Sequence, residues 1–200
     1  MKHLFTECCP PRLLFTLSLL LLSTSCAVNY QTDAQLMQSQ KAQRSPPPDQ
    51  VSFWKGDSLT GNPSVQIKLS EQRAYFYKGD QLVGVSLIST GREGKDTVTG
   101  NFRILEKDKN HRSSLFGDYV DANGTVIQKD VDTRKDKKPQ GATYVGANMP
   151  NFMRITGGTG MHEGFLPGYA DSHGCIRMPA FMADAFFRSV SVGTPVKIMP

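Results

Sequence analysis

Cysteine is scarce in this sequence: there are four in 200 residues, and three of them fall at Cys8, Cys9 and Cys26. Once an N-terminal leader is removed, only Cys26 and Cys175 remain. If Cys26 carries another group, Cys175 has no disulfide partner in the chain. Long apolar runs are also lacking. Leu13 to Leu22 is continuous, but it is about half the length a helix needs to cross a bilayer. No internal repeat is found, so the chain does not read as a stack of equivalent units. No basic stripe interleaved with aromatics occurs, which excludes a nucleic-acid partner.

The short apolar run has another meaning. Lys2 and Arg12 give a mildly positive start that Glu7 weakens. The run follows, and Ser23, Thr24 and Ser25 then lead to Cys26. This is the three-part plan of an export signal. The segment resembles a bacterial lipoprotein signal, in which a Cys after small residues is diacylated and becomes the new N-terminus. Ser23 stands where Leu is usual, with Leu22 one position further out. The alternative is ordinary cleavage near Ala27, which leaves a soluble periplasmic protein. The resemblance implies a signal over 1–25, lipid on Cys26 and an exported, membrane-anchored protein of the periplasm or cell envelope. Loss of Lys2, Arg12 and Glu7 lowers the formal charge from +5 to +4. That suits an anionic partner such as cell wall or lipid headgroups, but equally a merely soluble surface.

Residues 26–50 are rich in Gln and Ser, end near Pro46-Pro47-Pro48 and show no apolar period. They read as a tether, stiffened near its end. A single domain is expected over 51–200. Its eighteen Gly and twelve Pro across the chain point to a turn-rich, strand-rich fold. Strands are expected at 64–69, 74–77, 81–89, 101–105, 152–156 and 195–199. Lys78-Gly79-Asp80 and Asn123-Gly124 are expected as hairpin turns. Asp121 to Gly124 only faintly resembles a calcium loop, because the first acid would have to be Tyr119. One helix is expected after Pro179, with Phe181, Met182, Ala185, Phe186 and Val190 on its apolar face and Gly193 ending it. Arg134 to Lys138 reads as a solvated loop, and His111 as a loop residue.

The chemistry concentrates in Met161 to Pro179, MHEGFLPGYADSHGCIRMP, which holds Cys175 and two of the four histidines. A thiol attacks only as thiolate, and an unperturbed Cys is ionised to only a few per cent at neutral pH. A neighbouring imidazole takes the proton and lowers the thiol pKa as an ion pair. Gly174 lets backbone approach a substrate closely, with the Gly174 and Cys175 N–H groups as candidate oxyanion donors. A free Cys is by default a buried structural thiol, but His and Gly neighbours after an export signal favour a reactive one. His162, His173 and Cys175 make a poor zinc set, since their spacing is wrong and a fourth ligand is lacking.

Ser172-His173-Gly174-Cys175-Ile176-Arg177-Met178 resembles the signature of the L,D-transpeptidase catalytic domain (YkuD-like) family. Ile67 to Tyr77 resembles that family's opening hairpin. Ser89-Thr90-Gly91 and Thr97 to Phe102 resemble two further segments, with Val98 where Pro is common. The His162 to Cys175 stretch is similar to a short-loop subgroup. The resemblance implies a mainly β, sandwich-like domain with one packed helix after Cys175. It implies Cys175 as nucleophile and His162 as base, oriented by the backbone carbonyl of Glu163. Ser172, His173 and Gly174 would shape the oxyanion and substrate pocket, and Arg177 would hold the loop or meet a carboxylate. The division of roles between His162 and His173 stays open.

The implied reaction is attack on the amide between a diamino acid and terminal D-Ala of a peptidoglycan tetrapeptide stem. An amine of a second stem then resolves the thioester. No metal or organic cofactor and no obligate protein partner is implied. The same acyl-enzyme would serve an L,D-carboxypeptidase or anchor a lipoprotein to the wall. A non-catalytic wall-binding module is the remaining alternative.

Overall fold

The structure, a computed structural model, describes residues 49–200. The proposed signal, Cys26 and the tether up to Pro48 lie outside those residues. Among the described residues, no helix is long and apolar enough to cross a membrane.

Among the described residues, thirteen strands form three sheets, with one helix. In the largest sheet, β2 (Pro63–Lys68) and β3 (Arg73–Lys78) form the first long hairpin, and β4 (Gln81–Leu87) follows the Gly79 turn. Gly79 has φ of +59°, as the sharp turn requires. The pleat decides which residues face inward. Val65 lies opposite Phe76, and Ile67 opposite Ala74. The C-terminal strand β13 (Pro195–Met199) joins β2 in parallel and sets Val196 beside Val65 and Ile198 beside Ile67. Short strands β1 (Phe53–Trp54) and β5 (Gly100–Arg103) form the two edges.

The second sheet is β12 (Ile176–Met178), β11 (Thr159–Glu163), β10 (Phe152–Thr156) and β6 (Glu106–Asp108), in that order. It shares one apolar core with the first sheet, including Met153, Met161, Ile176 and Met178. The helix α1 (Ala180–Ser189) closes that core. Pro179 precedes it with extended backbone, and its carbonyl receives the N–H groups of Met182 and Ala183 at 3.0 and 2.9 Å. Phe186 packs edge-on against Phe76, ring centroids 4.8 Å apart. Each such ring contributes roughly 1.5–3 kcal/mol by leaving water.

The helix differs from expectation in two places. Phe181 is 53 % exposed, and Ala183 takes its place against the core. A buried stripe centred on Met182 and Phe186 turns position 181 outward. Gly193 does not end the helix: the chain leaves it at Val190, and Gly193 serves a later turn at φ +93°.

The third sheet joins β7 (Arg112–Val120), β8 (Val126–Asp132) and β9 (Thr143–Asn148) around a small core of Tyr119, Val131 and Ala142. The Asn123-Gly124 turn links β7 and β8. Asp121 accepts the N–H groups of Asn123 and Thr125 there, as in a plain hairpin turn. β9 has little sequence signal because Gly146 interrupts it. A Cβ at Gly146 would lie 2.0 Å from the Ser113 carbonyl oxygen, so close packing of β9 on β7 needs glycine there.

Candidate active site

The parallel pairing of β11 and β12 builds the site. Met161 lies beside Ile176 and His162 beside Arg177. Met161 and Ile176 point into the core, so alternation sends His162 and Arg177 to the other face. Cys175 is the residue immediately before β12. Gly174, at φ +112°, turns the chain into β12 at a backbone angle that favours glycine.

His162 is buried at 6 % exposure, and its Nδ1 lies 2.7 Å from the Glu163 carbonyl oxygen. A carbonyl only accepts, so Nδ1 carries the proton and Nε2 offers a lone pair. Burial lowers the imidazole pKa to about 4; the bond to Glu163 opposes this, and the charges of Arg177 and His111 add to it. The Cys175 thiol is pushed up, again chiefly by burial. A Gly160 backbone hydrogen bond and the charges of Arg154 and Arg177 pull it the other way. Its Sγ lies 3.4 Å from the Gly158 carbonyl oxygen. These shifts make neutral thiol with neutral imidazole the resting pair. The ion pair expected from sequence is therefore not the resting form, because both groups lose solvation there.

A cavity of about 710 Å³ is lined by Cys175, His162, Glu163, Ser172, His173, Gly174 and Arg177 together. Ser172 clasps the loop, donating to the Cys175 carbonyl oxygen at 2.5 Å and accepting the Gly174 N–H at 3.1 Å. This revises the expected oxyanion pair, because the Gly174 N–H is already bonded while the Cys175 N–H remains the candidate donor. Arg92 Nη2 donates to His173 Nε2 at 3.0 Å, and the His173 ring stacks on Phe116 at 4.4 Å. Burial is the main cause lowering the His173 pKa, followed by the charges of Arg92, Lys95 and Arg177.

The 89–97 segment holds this loop in place. Ser89 and Arg177 exchange backbone hydrogen bonds at 3.0 Å, and Arg92 N–H reaches the Ser172 carbonyl at 3.1 Å. Thr97 Oγ1 donates to the Gly174 carbonyl oxygen at 2.9 Å and accepts the Gly91 N–H at 2.9 Å. A Cβ at Gly91 would sit 2.0 Å from the Lys95 carbonyl oxygen. Gly91→Ala should therefore lose about 1–3 kcal/mol or more, read as a Tm fall of several degrees with slowed thiol chemistry. Gly94, whose added Cβ meets nothing within 4 Å but whose φ is +74°, gives the smaller cost of backbone strain alone for comparison. Equal effects from Gly94→Ala would refute this packing account.

Sequence reasoning missed several cavity residues. His111, although in a loop, lines the cavity, stacks on Phe152 at 4.2 Å and has Nδ1 3.1 Å from Asp108 Oδ2. Arg134 also lines it, with Nε and Nη2 donating to the Asp132 carboxylate at 2.8 and 2.7 Å. Arg134 is exposed in a turn, as the solvated-loop reading expects, and it adds to the cavity rim as well. The Thr97 role had a signal in the Thr97 to Phe102 segment, but Phe116 and Lys95 had none.

The fold is a β-rich domain in which a cysteine at the head of a short strand lines a cavity. The chain belongs to the L,D-transpeptidase catalytic domain family, whose model matches residues 62–198. Among solved structures, an L,D-transpeptidase from Mycobacterium smegmatis is 17% identical at TM-score 0.52, covering 70% of this chain and 59% of its own. An L,D-transpeptidase in complex with imipenem is 17% identical at TM-score 0.51, covering 68% of this chain and 58% of its own. An L,D-transpeptidase from Stackebrandtia nassauensis is 16% identical at TM-score 0.51, covering 86% and 68%. At these identities the likeness is one of fold. The chain spans under two thirds of the first two structures' length. No curated protein is matched by sequence.

Proposed function

We propose that this protein is a peptidoglycan L,D-transpeptidase with Cys175 as nucleophile and His162 as base. One observation carries the reading: His162, whose Nδ1 is held by the Glu163 carbonyl so that Nε2 bears the lone pair, lines the same cavity as Cys175. His173 is the weaker base, since its Nε2 is occupied by Arg92.

In the first step Cys175 Sγ attacks the carbonyl carbon of the diamino acid–D-Ala amide while its proton passes to His162 Nε2. The oxyanion forms against the Cys175 N–H. Collapse breaks the C–N bond, His162 returns the proton to the departing D-Ala amine, and a thioester remains. An amine of a second stem then attacks the thioester and loses its proton to His162. Sγ leaves and recovers that proton. Ser172, Gly174 and Arg177 shape the substrate pocket, and the Glu163 carbonyl orients the base.

Export supports the same reading. Residues 1–25 serve as signal, lipid on Cys26 anchors the protein to a membrane, and 26–50 tether the 51–200 domain in the cell envelope. Absence of label on Cys26 after growth with a fatty-acid probe would count against the anchor.

The deciding experiment is mass spectrometry of products from purified domain and a disaccharide-tetrapeptide. Cross-linked dimer is the expected product. Loss of D-Ala alone means a carboxypeptidase, transfer to an added lipoprotein amine means anchoring, and no change with any substrate means a binding module.

A further inference from the structure

Four permanent cations line the catalytic cavity: Lys95, Arg134, Arg154 and Arg177. Three already have counter-charges. Arg134 is paired twice with Asp132. Arg154 meets Glu106 at 2.7 Å and the Gly157 carbonyl oxygen at 2.8 Å, and Arg177 lies 3.5 Å from Asp171. Lys95 is different. It is half-buried, and its Nζ has no ion pair or hydrogen-bond acceptor among the described residues. Its contact is the face of Phe116, 5.9 Å from the ring centroid. Asp96, the acid next to it and also in the cavity wall, is exposed and outside ion-pair distance.

The chain fixes where this ammonium sits. Lys95 N–H closes a turn onto the Arg92 carbonyl at 2.8 Å. The Lys95 carbonyl oxygen then packs 3.6 Å from where a Gly174 Cβ would be, so the lysine backbone abuts the residue before Cys175. His173, stacked on Phe116, and Arg134, 5.3 Å over the same ring, share that aromatic side chain with the lysine. A half-buried cation without a counter-charge, in the wall of the cavity that Cys175 lines, is complementary to an anionic group on the substrate.

We propose that Lys95 forms an anion subsite of the catalytic cavity that takes a free carboxylate of the donor stem peptide. The proposal rests on the reading of this cavity as a stem-peptide site. Two stem carboxylates have the right chemistry: that of the terminal D-Ala and that on the diamino acid side chain.

Binding can be measured without turnover in Cys175→Ala protein, by calorimetry. The ligands are the tetrapeptide stem and two versions amidated at one or the other carboxyl group. Adding Lys95→Gln should weaken binding of the unmodified stem about tenfold to a hundredfold, as for one charge-assisted hydrogen bond. Amidation of one carboxyl group should weaken binding to Lys95 protein similarly, and Lys95→Gln should then add nothing. The amide that behaves so identifies the carboxylate, and Lys95→Arg should retain the preference. Unchanged affinity in Lys95→Gln, or effects that simply add with both amides, would overturn the subsite alone. If no stem binds Cys175→Ala protein at all, the subsite and the stem-peptide reading fall together.

Discussion

Cys175→Ala is expected to abolish covalent chemistry, with acylation falling by on the order of 10⁴-fold or more. No other thiol is present among the described residues. The loss should be chemical rather than structural. Cys175 is half-buried and its Sγ makes only weak polar contacts, to the Gly158 carbonyl oxygen at 3.4 Å and the Gly160 backbone, so the change in stability should not exceed about 1 kcal/mol. A thiol-alkylating reagent such as iodoacetamide is the probe. Intact-mass measurement should show one adduct on native protein and none on the variant. An adduct surviving the substitution would remove Cys175 from the mechanism.

His162→Gln should slow acylation by about 10²–10⁴-fold and change its pH profile. In native protein the imidazole pKa lies at about 4. The basic form is therefore already present at pH 5, and the rate should fall only as pH drops through about 4. The variant has no base and depends on thiolate, whose pKa burial has raised. Its rate should climb steadily with pH across the neutral range, where the native rate is flat. A native profile rising with a midpoint near pH 6.5 would contradict the buried, neutral imidazole.

The same burial links protonation to folding. The unfolded histidine titrates near 6.5 and the folded one at about 4, so between these values the unfolded chain binds more protons and stability rises with pH. The contribution is complete above 6.5 and is lost as pH falls through about 4, amounting to ~3 kcal/mol. Thermal melts from pH 7 to 4 should show a shallower decline in His162→Gln than in native protein.

Elements whose signals are local were legible in sequence. The Gly79 and Gly124 turns, the alternation of Val65 and Ile67, and the stripe of Met182 and Phe186 each depend on a few neighbouring residues. β6, β11 and β12 were not, although β11 and β12 carry the site. Three to five residues are too few to show a period, and Gly160 weakens β11. That glycine is a tertiary requirement, since a Cβ there would lie 2.5 Å from the Phe152 ring. Phe181 illustrates the opposite error: its spacing suited the helix stripe, but the phase of packing turned it outward.

The sequence by itself determined the family, the one thiol of the described domain and the histidines near it, because these are matters of residue identity and order. Only the tertiary structure decided that the Glu163 carbonyl holds His162 Nδ1 while Arg92 occupies His173 Nε2, that burial favours the uncharged forms of His162 and Cys175, and that Lys95 lines the cavity without a counter-charge. Those properties depend on solvation and through-space distance, set by a parallel strand pair and a loop from elsewhere in the chain. Local sequence does not encode either quantity.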